Sequence, residues 1–162
     1  ETIAADMIPE LNILLAEDND LNAEIAIELL KTKRASVHRA EYGKRAVELF
    51  VRNSPGTYQA ILMDIQMHEM NGLEACRAIR GMQRQDASSI PVIAMTANSF
   101  QEDADAAAEA GMDGFVTKPV DAEYLCQVSE RAQRLGQPAE GSRLIEDRQR
   151  LHAAFRIRIA GQ

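Results

Sequence analysis

Polar side chains able to do chemistry stand at the ends of four apolar runs. Glu17 and Asp18 follow the first run, Asp64 and Thr96 close two others, and Lys118 comes shortly after a fourth. Clustered carboxylates repel each other and need a cation, and oxygen ligands with open positions suit Mg²⁺ or Mn²⁺. A carboxylate is also a nucleophile, and a hydroxyl and an ammonium group can bind the phosphoryl oxygens. These residue types therefore predict phosphoryl transfer to a carboxylate, and they offer nothing for hydride or acyl transfer.

The apolar runs predict the strands that position these groups. Nearly continuous apolar runs are typical of parallel strands buried on both faces. The runs are Leu11–Ala16, Ala60–Met63, Val92–Met95 and Phe115–Val116, and Ser36–Ala40 is a weaker candidate. Helical patterns separate them, and a βα alternation folds as an open parallel sheet with helices on both sides. Because ligands of such sheets bind beyond the carboxyl ends of the strands, we expect the polar groups to meet there.

Apolar spacing and capping residues predict the helices. Three sets share a helical face: Leu21, Ile25 and Leu29, then Ala46, Val47 and Phe50, then Leu73, Cys76 and Ile79. The expected boundary residues are Asn19 or Asp20 for the first helix, Ser99 with Glu102 and Gly111 for the fourth, and Asp121 for the fifth. Each of these residue types can satisfy or end the hydrogen-bonding of a helix terminus.

Composition predicts a single intracellular domain with an appendage. The chain has 162 residues and a net charge of -7, with 46% apolar and 27% charged residues. We expect a lead-in over residues 1–10, a domain over 11–135, and a linker or partly disordered basic tail over 136–162. No apolar run could span a bilayer, residues 1–15 lack a secretory pattern, and the acidic balance argues against direct nucleic-acid binding. Cys76 and Cys126 lack metal-ligand spacing and are expected to be buried thiols.

The motifs together resemble a known family. They are ILLAEDN at 13–19, ILMDIQM at 61–67, NG at 71–72, PVIAMTA at 91–97, and the stretch from AGMD at 110–113 to KP at 118–119. In order and spacing they resemble the receiver domain of two-component response regulators, in the form attached to hybrid sensor histidine kinases. The resemblance implies a flavodoxin-like, doubly wound sheet of five parallel strands in the order 2-1-3-4-5, with five helices.

The resemblance also implies the role of each site residue. Asp64 would accept a phosphoryl group from a phosphohistidine. Asp18, Asp64 and the backbone carbonyl of Gln66 would bind Mg²⁺, with Glu17 acting through water. Lys118 would contact the phosphoryl oxygens. Thr96 would also bond the phosphate, and Phe115 would then rotate inward as a switch.

Partners and context follow from the same resemblance. The phosphoryl donor would be a histidine kinase or a histidine phosphotransfer domain, and the receiver would assist its own phosphorylation. A weak homodimer through the fourth helix, fifth strand and fifth helix is a further expectation. The domain would lie in the cytoplasm and would contact neither nucleic acid nor membrane. It would be part of a hybrid kinase, and a membrane anchor elsewhere in that kinase would fit this location.

Two positions depart from the family pattern. His68 replaces a usual proline, either as a tolerated loop substitution or with a metal-binding or general-base role. Asn71 replaces a frequent aspartate and suits a turn or cap.

Three other functions compete with the receiver interpretation. An aspartate-nucleophile phosphatase needs a second aspartate two positions after Asp64, where Gln66 stands. A receiver used only as a phosphorylation-independent binding scaffold would not need the intact acidic set. A flavodoxin-type nucleotide module would need a glycine-rich loop after the first strand, where Glu17 and Asp18 stand instead.

Overall fold

The strands form where the apolar runs predict them. The computed structural model describes residues 12–32, 34–97 and 101–117, and for residues 101 and 117 it describes the backbone alone. The strands are β1 (Asn12–Ala16), β2 (Ser36–Ala40), β3 (Ala60–Asp64), β4 (Val92–Thr96) and β5 (Gly114–Thr117). The helices are α1 (Asp20–Lys31), α2 (Gly43–Arg52), α3 (Gly72–Arg80) and α4 (Gln101–Glu109). The fifth predicted helix, the cap Asp121 and Cys126 lie outside the described residues.

One parallel sheet orders the strands as β2-β1-β3-β4-β5, which confirms the predicted topology. The register pairs Ala16 with Met63 across β1 and β3, and Asp64 with Met95 across β3 and β4. The strand order reverses between β1 and β3, because the chain leaves β1 toward β2 and returns on the other side to form β3. This reversal opens a crevice at the carboxyl ends of β1 and β3.

Local side-chain bonds fix the starts of two helices beside this crevice. Asn19 caps α1 by accepting a hydrogen bond from the backbone of Asn22 at 2.9 Å. Asn71 caps α3 in a reciprocal arrangement with Glu74, so the predicted capping role of Asn71 is confirmed. After α4, Gly111 takes a positive φ of 93°, where glycine has no steric penalty, and the helix ends as predicted. The predicted Ser99 cap lies outside the described residues.

Alternate strand residues feed two hydrophobic layers, one on each face of the sheet. Leu14, Ile61 and Ala94 pack in the layer beneath α2, α3 and α4. Leu15, Leu62 and Ile93 pack in the opposite layer, which contains the buried residues of α1. Cys76 is a buried thiol, as expected. In the part of the chain that is described, no helix has the length and apolar character needed to cross a membrane.

The buried face of α1 differs from the predicted one. Leu21 is 65% exposed and Ile25 is 44% exposed, whereas Ala23, Ala26 and Leu30 are buried. The helix has apolar residues on both faces, so the spacing of Leu21 and Ile25 identifies a helix without identifying its buried side. The alanine face packs against the sheet because small side chains let the helix approach it closely. The larger apolar side chains are consequently left on the outside.

Candidate functional site

Three carboxylates meet at the crevice. Glu17, Asp18 and Asp64 each offer one oxygen, and these oxygens lie within 4.8 Å of one another. Glu17 is 2% exposed and Asp64 is 4% exposed, while the side chain of Asp18 is 23% exposed. Two largely buried acids beside a third, partly open one form a pocket of concentrated negative charge with an entrance for an ion.

The backbone of β3 and the start of α3 hold Asp64 in place. Asp64 is the last residue of β3, and the following amide of Ile65 donates to the carbonyl of Met95 at 3.0 Å. The amide of Gln66 donates to Oδ1 of Asp64 at 3.1 Å. The backbone of Gly72 lies so close to the Asp64 carbonyl that a Cβ atom there would overlap it. Glycine is therefore required where α3 starts against the acidic pocket.

A residue that sequence reasoning missed anchors the other side of the pocket. The Arg39 guanidinium donates to the Glu17 carbonyl from Nε at 3.2 Å and from Nη2 at 3.0 Å, and its Nη1 lies 2.8 Å from Oδ1 of Asp20. The amide of Asn19 also donates to Oε1 of Glu17 at 3.2 Å. Arg39 thus ties the loop after β1 to β2. Only the pairing of these strands reveals this role, since Arg39 belongs to no site motif.

Of the other predicted site residues, the structure describes Thr96, Phe115 and Gln66. Thr96 ends β4 beside β3 and is 5% exposed, so it lies at the same edge of the sheet as Asp64. Phe115 lies on β5 and is 4% exposed within the layer that also holds Ala104. Gln66 is exposed on the loop after β3. Lys118 follows the last residue of β5 and lies outside the described residues.

His68 stands at the entrance of the pocket. Its Nε2 atom lies 3.7 Å from Oδ2 of Asp18, and its side chain is 91% exposed. The amide of Met70 donates to the His68 carbonyl at 2.7 Å around Glu69, whose φ is 64°. This tight turn fixes the backbone of His68 beside the acids while its ring remains in solvent.

The donor set fits a hard divalent cation. Carboxylate oxygens at this spacing are the ligands that Mg²⁺ and Mn²⁺ take, usually with several waters retained. A divalent cation among the three carboxylates would offset the Coulomb repulsion between their negative charges. The geometry therefore supports the predicted acidic metal pocket.

Comparison with known proteins identifies the family. The profile of the response regulator receiver domain matches residues 13–130, which is most of the chain. The chain belongs to this family. The class of function predicted from the sequence, a phosphoacceptor module of a phosphorelay, is confirmed by this membership together with the acidic pocket.

The relatives are long histidine kinases. Hybrid signal transduction histidine kinase I of Dictyostelium discoideum is 37% identical over 130 residues, which is 79% of this chain and 7% of the relative. Probable histidine kinase 6 of Oryza sativa subsp. japonica is 39% identical over 136 residues, which is 74% of this chain and 14% of the relative. The chain thus spans a small part of the length of these relatives.

Solved structures show the same fold. The magnesium-bound receiver domain of a sensor histidine kinase from Pseudomonas aeruginosa PAO1 is 31% identical, with a TM-score of 0.69, covering 77% of this chain and 98% of that domain. A co-crystal structure from Saccharomyces cerevisiae contains the histidine phosphotransfer protein Ypd1 and the receiver domain of Ssk1. It matches with a TM-score of 0.68 and 27% identity over 82% of this chain and 94% of that one. Magnesium in the cleft of the first structure is consistent with the acidic pocket found here.

Proposed function

We propose that Asp64 is the phosphoacceptor of this receiver and that Glu17, Asp18, Asp64 and the Gln66 carbonyl hold the magnesium ion. The observation that carries the proposal is the grouping of three carboxylate oxygens within 4.8 Å at the ends of β1 and β3. When bound, Mg²⁺ neutralises charge on the phosphoryl oxygens during transfer. Mn²⁺ meets the same ligand requirements.

The chemical step is a displacement at phosphorus. A carboxylate oxygen of Asp64 attacks the phosphorus atom of a phosphohistidine, the new O–P bond forms and the N–P bond breaks. The electron pair of the broken bond stays with the imidazole. The chain's contribution is to hold Asp64 at the end of β3, through the Gln66 amide and the close packing of Gly72, so that its orientation is set before the donor arrives.

Two further residues complete the proposed site. Thr96 ends β4, the strand beside β3, and its hydroxyl would bond a phosphoryl oxygen on Asp64. Lys118 follows β5, the strand beyond β4, and its ammonium group would neutralise charge on the same phosphoryl group. Both assignments draw on the strand order, because Thr96 ends β4 and residue 118 follows the last residue of β5 in the sequence.

Phosphorylation would act on the protein surface through Thr96 and Phe115. Movement of the Thr96 hydroxyl toward the phosphate would leave space for the ring of Phe115, on β5, to rotate inward. Phe115 packs in the layer that holds Ala104 and Ala107 of α4, and these small side chains give the helix room to shift. The surface around α4 and β5 would therefore change with phosphorylation, and the predicted weak homodimer would use that surface.

The donor would approach past α1. Leu21 and Ile25 form an exposed apolar patch on α1, whose first residue follows the acidic loop closely. A protein that delivers a phosphohistidine to Asp64 must cover the surface around the pocket, so a patch at this position suits its apolar side chains. The Ypd1 complex of a structural relative supports a histidine phosphotransfer domain as one such partner.

The domain context of this receiver is proposed from the architecture of its relatives. Long histidine kinases are among the relatives that match most of this chain, so we propose a receiver domain over residues 11–135 within a cytoplasmic part of a hybrid sensor histidine kinase. Residues 1–10 and 136–162 would be a lead-in and a linker or basic tail. The retained acidic pocket does not favour the phosphorylation-independent scaffold.

Phosphate incorporation tests the proposed acceptor. With acetyl phosphate and Mg²⁺, the parent chain should gain a phosphoryl group that is labile in base and in hydroxylamine, as an acyl phosphate is. Asp64→Asn should reduce incorporation to background, and chelation of the metal should do the same to the parent. Asp103→Asn, on α4, is the matched control and should incorporate phosphate normally. Equal incorporation by Asp64→Asn and the parent would refute the assignment.

A separate experiment tests the docking surface. Leu21→Ser with Ile25→Ser should slow transfer from a phosphorylated histidine phosphotransfer domain about tenfold, as expected when a few apolar anchors dominate an interface. Transfer from acetyl phosphate should not change, because the small donor needs no docking. Val51→Ser, at an exposed apolar position on α2, is the control. Slowing with both donors, or with neither, would count against the docking role.

A further inference from the structure

We propose that His68 is an additional metal ligand, which gives this receiver an affinity for borderline transition-metal ions, namely Co²⁺, Ni²⁺ and Zn²⁺, beyond that of its carboxylates. The inference rests on the proposed metal site and concerns which cations that site accepts. It follows from the position of one exposed imidazole at the entrance of the acidic pocket.

The separation between His68 and Asp18 fits joint coordination. Nε2 of His68 and Oδ2 of Asp18 are 3.7 Å apart, which is too long for a hydrogen bond. Two ligand atoms bound to one tetrahedral Zn²⁺ at about 2.1 Å stand about 3.4 Å apart. The imidazole therefore needs to move only a few tenths of an ångström to share an ion with Asp18. A side chain that is 91% exposed can make this movement without displacing packed neighbours.

The backbone around His68 makes this position persistent. The amide of Met70 donates to the His68 carbonyl, and the amide of Gly72 donates to the Ile65 carbonyl at 3.0 Å. Both hydrogen bonds join backbone groups of the segment between β3 and the start of α3, and they restrict its conformation. Since the same loop carries the Gln66 carbonyl, the imidazole and the proposed oxygen ligands are held on one short segment.

The chemistry of imidazole determines the expected selectivity. Mg²⁺ prefers oxygen ligands and retains its waters, so an added nitrogen ligand contributes little to its binding. Cobalt, nickel and zinc ions bind imidazole well, and affinity at mixed nitrogen and oxygen sites rises from cobalt through nickel to copper and falls again at zinc. Removal of His68 should consequently alter selectivity between the two kinds of ion while magnesium affinity stays the same.

Metal titration of the full chain tests the inference. The dissociation constants for Mg²⁺, Co²⁺ and Zn²⁺ would be measured by calorimetry, and the visible spectrum of bound Co²⁺ would report nitrogen coordination. His68→Ala should weaken Co²⁺ and Zn²⁺ binding at least about tenfold, the loss that even an outer-shell change commonly produces. Magnesium affinity should change less than about twofold, as expected for an ion bound through oxygen.

Two variants control for other effects. His152→Ala removes another histidine of the chain and should leave all three dissociation constants unchanged. Asp18→Asn should weaken every ion, because it removes an oxygen ligand that all of them share. The inference is overturned if His68→Ala leaves the Co²⁺ and Zn²⁺ constants and the Co²⁺ spectrum unchanged, or if it weakens Mg²⁺ equally.

Failure of this inference is distinguishable from failure of the proposed function. If His68→Ala has no effect while Asp64→Asn still loses phosphate incorporation, His68 is a tolerated loop substitution in a working receiver. If Asp64→Asn incorporates phosphate as the parent does, the acceptor assignment fails whatever the metal titrations show.

Discussion

The two ends of the sheet differ in the charges that they bring together: like charges at the carboxyl end and opposite charges at the amino end. At the carboxyl end, three carboxylates gather within 4.8 Å of one another. At the amino end, Nη2 of Arg80 lies 2.8 Å from Oδ2 of Asp113, and the same oxygen accepts a bond from the Val92 amide at 3.0 Å. Arg80 also donates to the carbonyls of Gly111 and Ala87, each at 3.0 Å.

A second arginine network lies at the same amino end. Arg84 donates to the carbonyls of Phe50 at 2.7 Å and Asn53 at 2.9 Å, and its Nε lies 2.6 Å from Oδ1 of Asp86. Its guanidinium carbon also stands 4.2 Å from the centre of the Phe50 ring. These contacts join the end of α2 to the connection between α3 and β4.

The contrast separates stability from function. Opposite charges with satisfied hydrogen bonds lock the amino end, where removal of one partner leaves a charge or polar group stranded. Like charges at the carboxyl end should destabilise the fold until a cation neutralises them, which is the usual compromise at binding sites.

The largest expected effect comes from breaking the buried pair at the amino end. Arg80→Met should lower the free energy of unfolding by about 3–5 kcal/mol, because it strands the buried carboxylate of Asp113. Urea denaturation measures this change. Arg77→Ala, at an exposed position on the same helix, should change stability by less than about 0.5 kcal/mol. Similar losses in both variants would mean that the pairing at this end is not what stabilises it.

An intermediate effect is expected from Gly72, the first residue of α3, compared with Gly81, which follows its last residue. Gly72→Ala should cost about 1–3 kcal/mol, because the new Cβ overlaps the Asp64 carbonyl and forces the backbone apart. It should also weaken Mg²⁺ binding, since the displaced strand end carries Asp64. Gly81→Ala meets its nearest atom at 3.3 Å and should stay within about 0.5 kcal/mol with normal metal affinity. Unchanged Mg²⁺ affinity in folded Gly72→Ala would contradict the proposed coupling.

The smallest effect is expected from an aspartate-to-asparagine substitution, which should change the free energy of unfolding in opposite directions at the two ends of the sheet. In metal-free buffer, Asp18→Asn should raise the free energy of unfolding by about 0.5–1 kcal/mol, because it removes the repulsion between the partly exposed Asp18 carboxylate and the buried carboxylates of Glu17 and Asp64. Asp86→Asn should lower it by about 1 kcal/mol or more, because Arg84 loses a charged partner. Thermal melts with and without Mg²⁺ check both variants. Added Mg²⁺ should stabilise the parent and Asp86→Asn by ligand linkage, and Asp18→Asn less. A fall in the metal-free stability of Asp18→Asn would contradict the repulsion.

Much of the fold and of the acidic site could be predicted from local pattern. Four apolar runs and the weaker candidate at Ser36–Ala40 locate the five strands, and the polar residues at the ends of the runs include Glu17, Asp18 and Asp64, which the structure brings together. These predictions succeed because a strand buried on both faces has a distinctive apolar run and because parallel strands direct their carboxyl ends to one edge. The cap at Asn71 is equally local, since it depends on residues three positions apart.

Other features depend on distant parts of the chain. The α1 sequence is apolar on two faces, so only packing against the sheet decides that Ala23 is buried and Leu21 exposed. Arg39 reaches the Glu17 carbonyl because β2 pairs with β1, and Gly72 is needed because α3 begins against the end of β3. The separation of His68 from Asp18 likewise depends on how the loop after β3 folds over the end of β1.

The sequence by itself determined which chemical groups this receiver carries and which strand end each one occupies, because those properties depend on residue type and short-range spacing. Tertiary structure alone decided the distances among the carboxylates, the ring position of His68, the outward face of α1 and the arginine network at the opposite end. Those properties arise from contacts between segments far apart along the chain, and no local pattern records them.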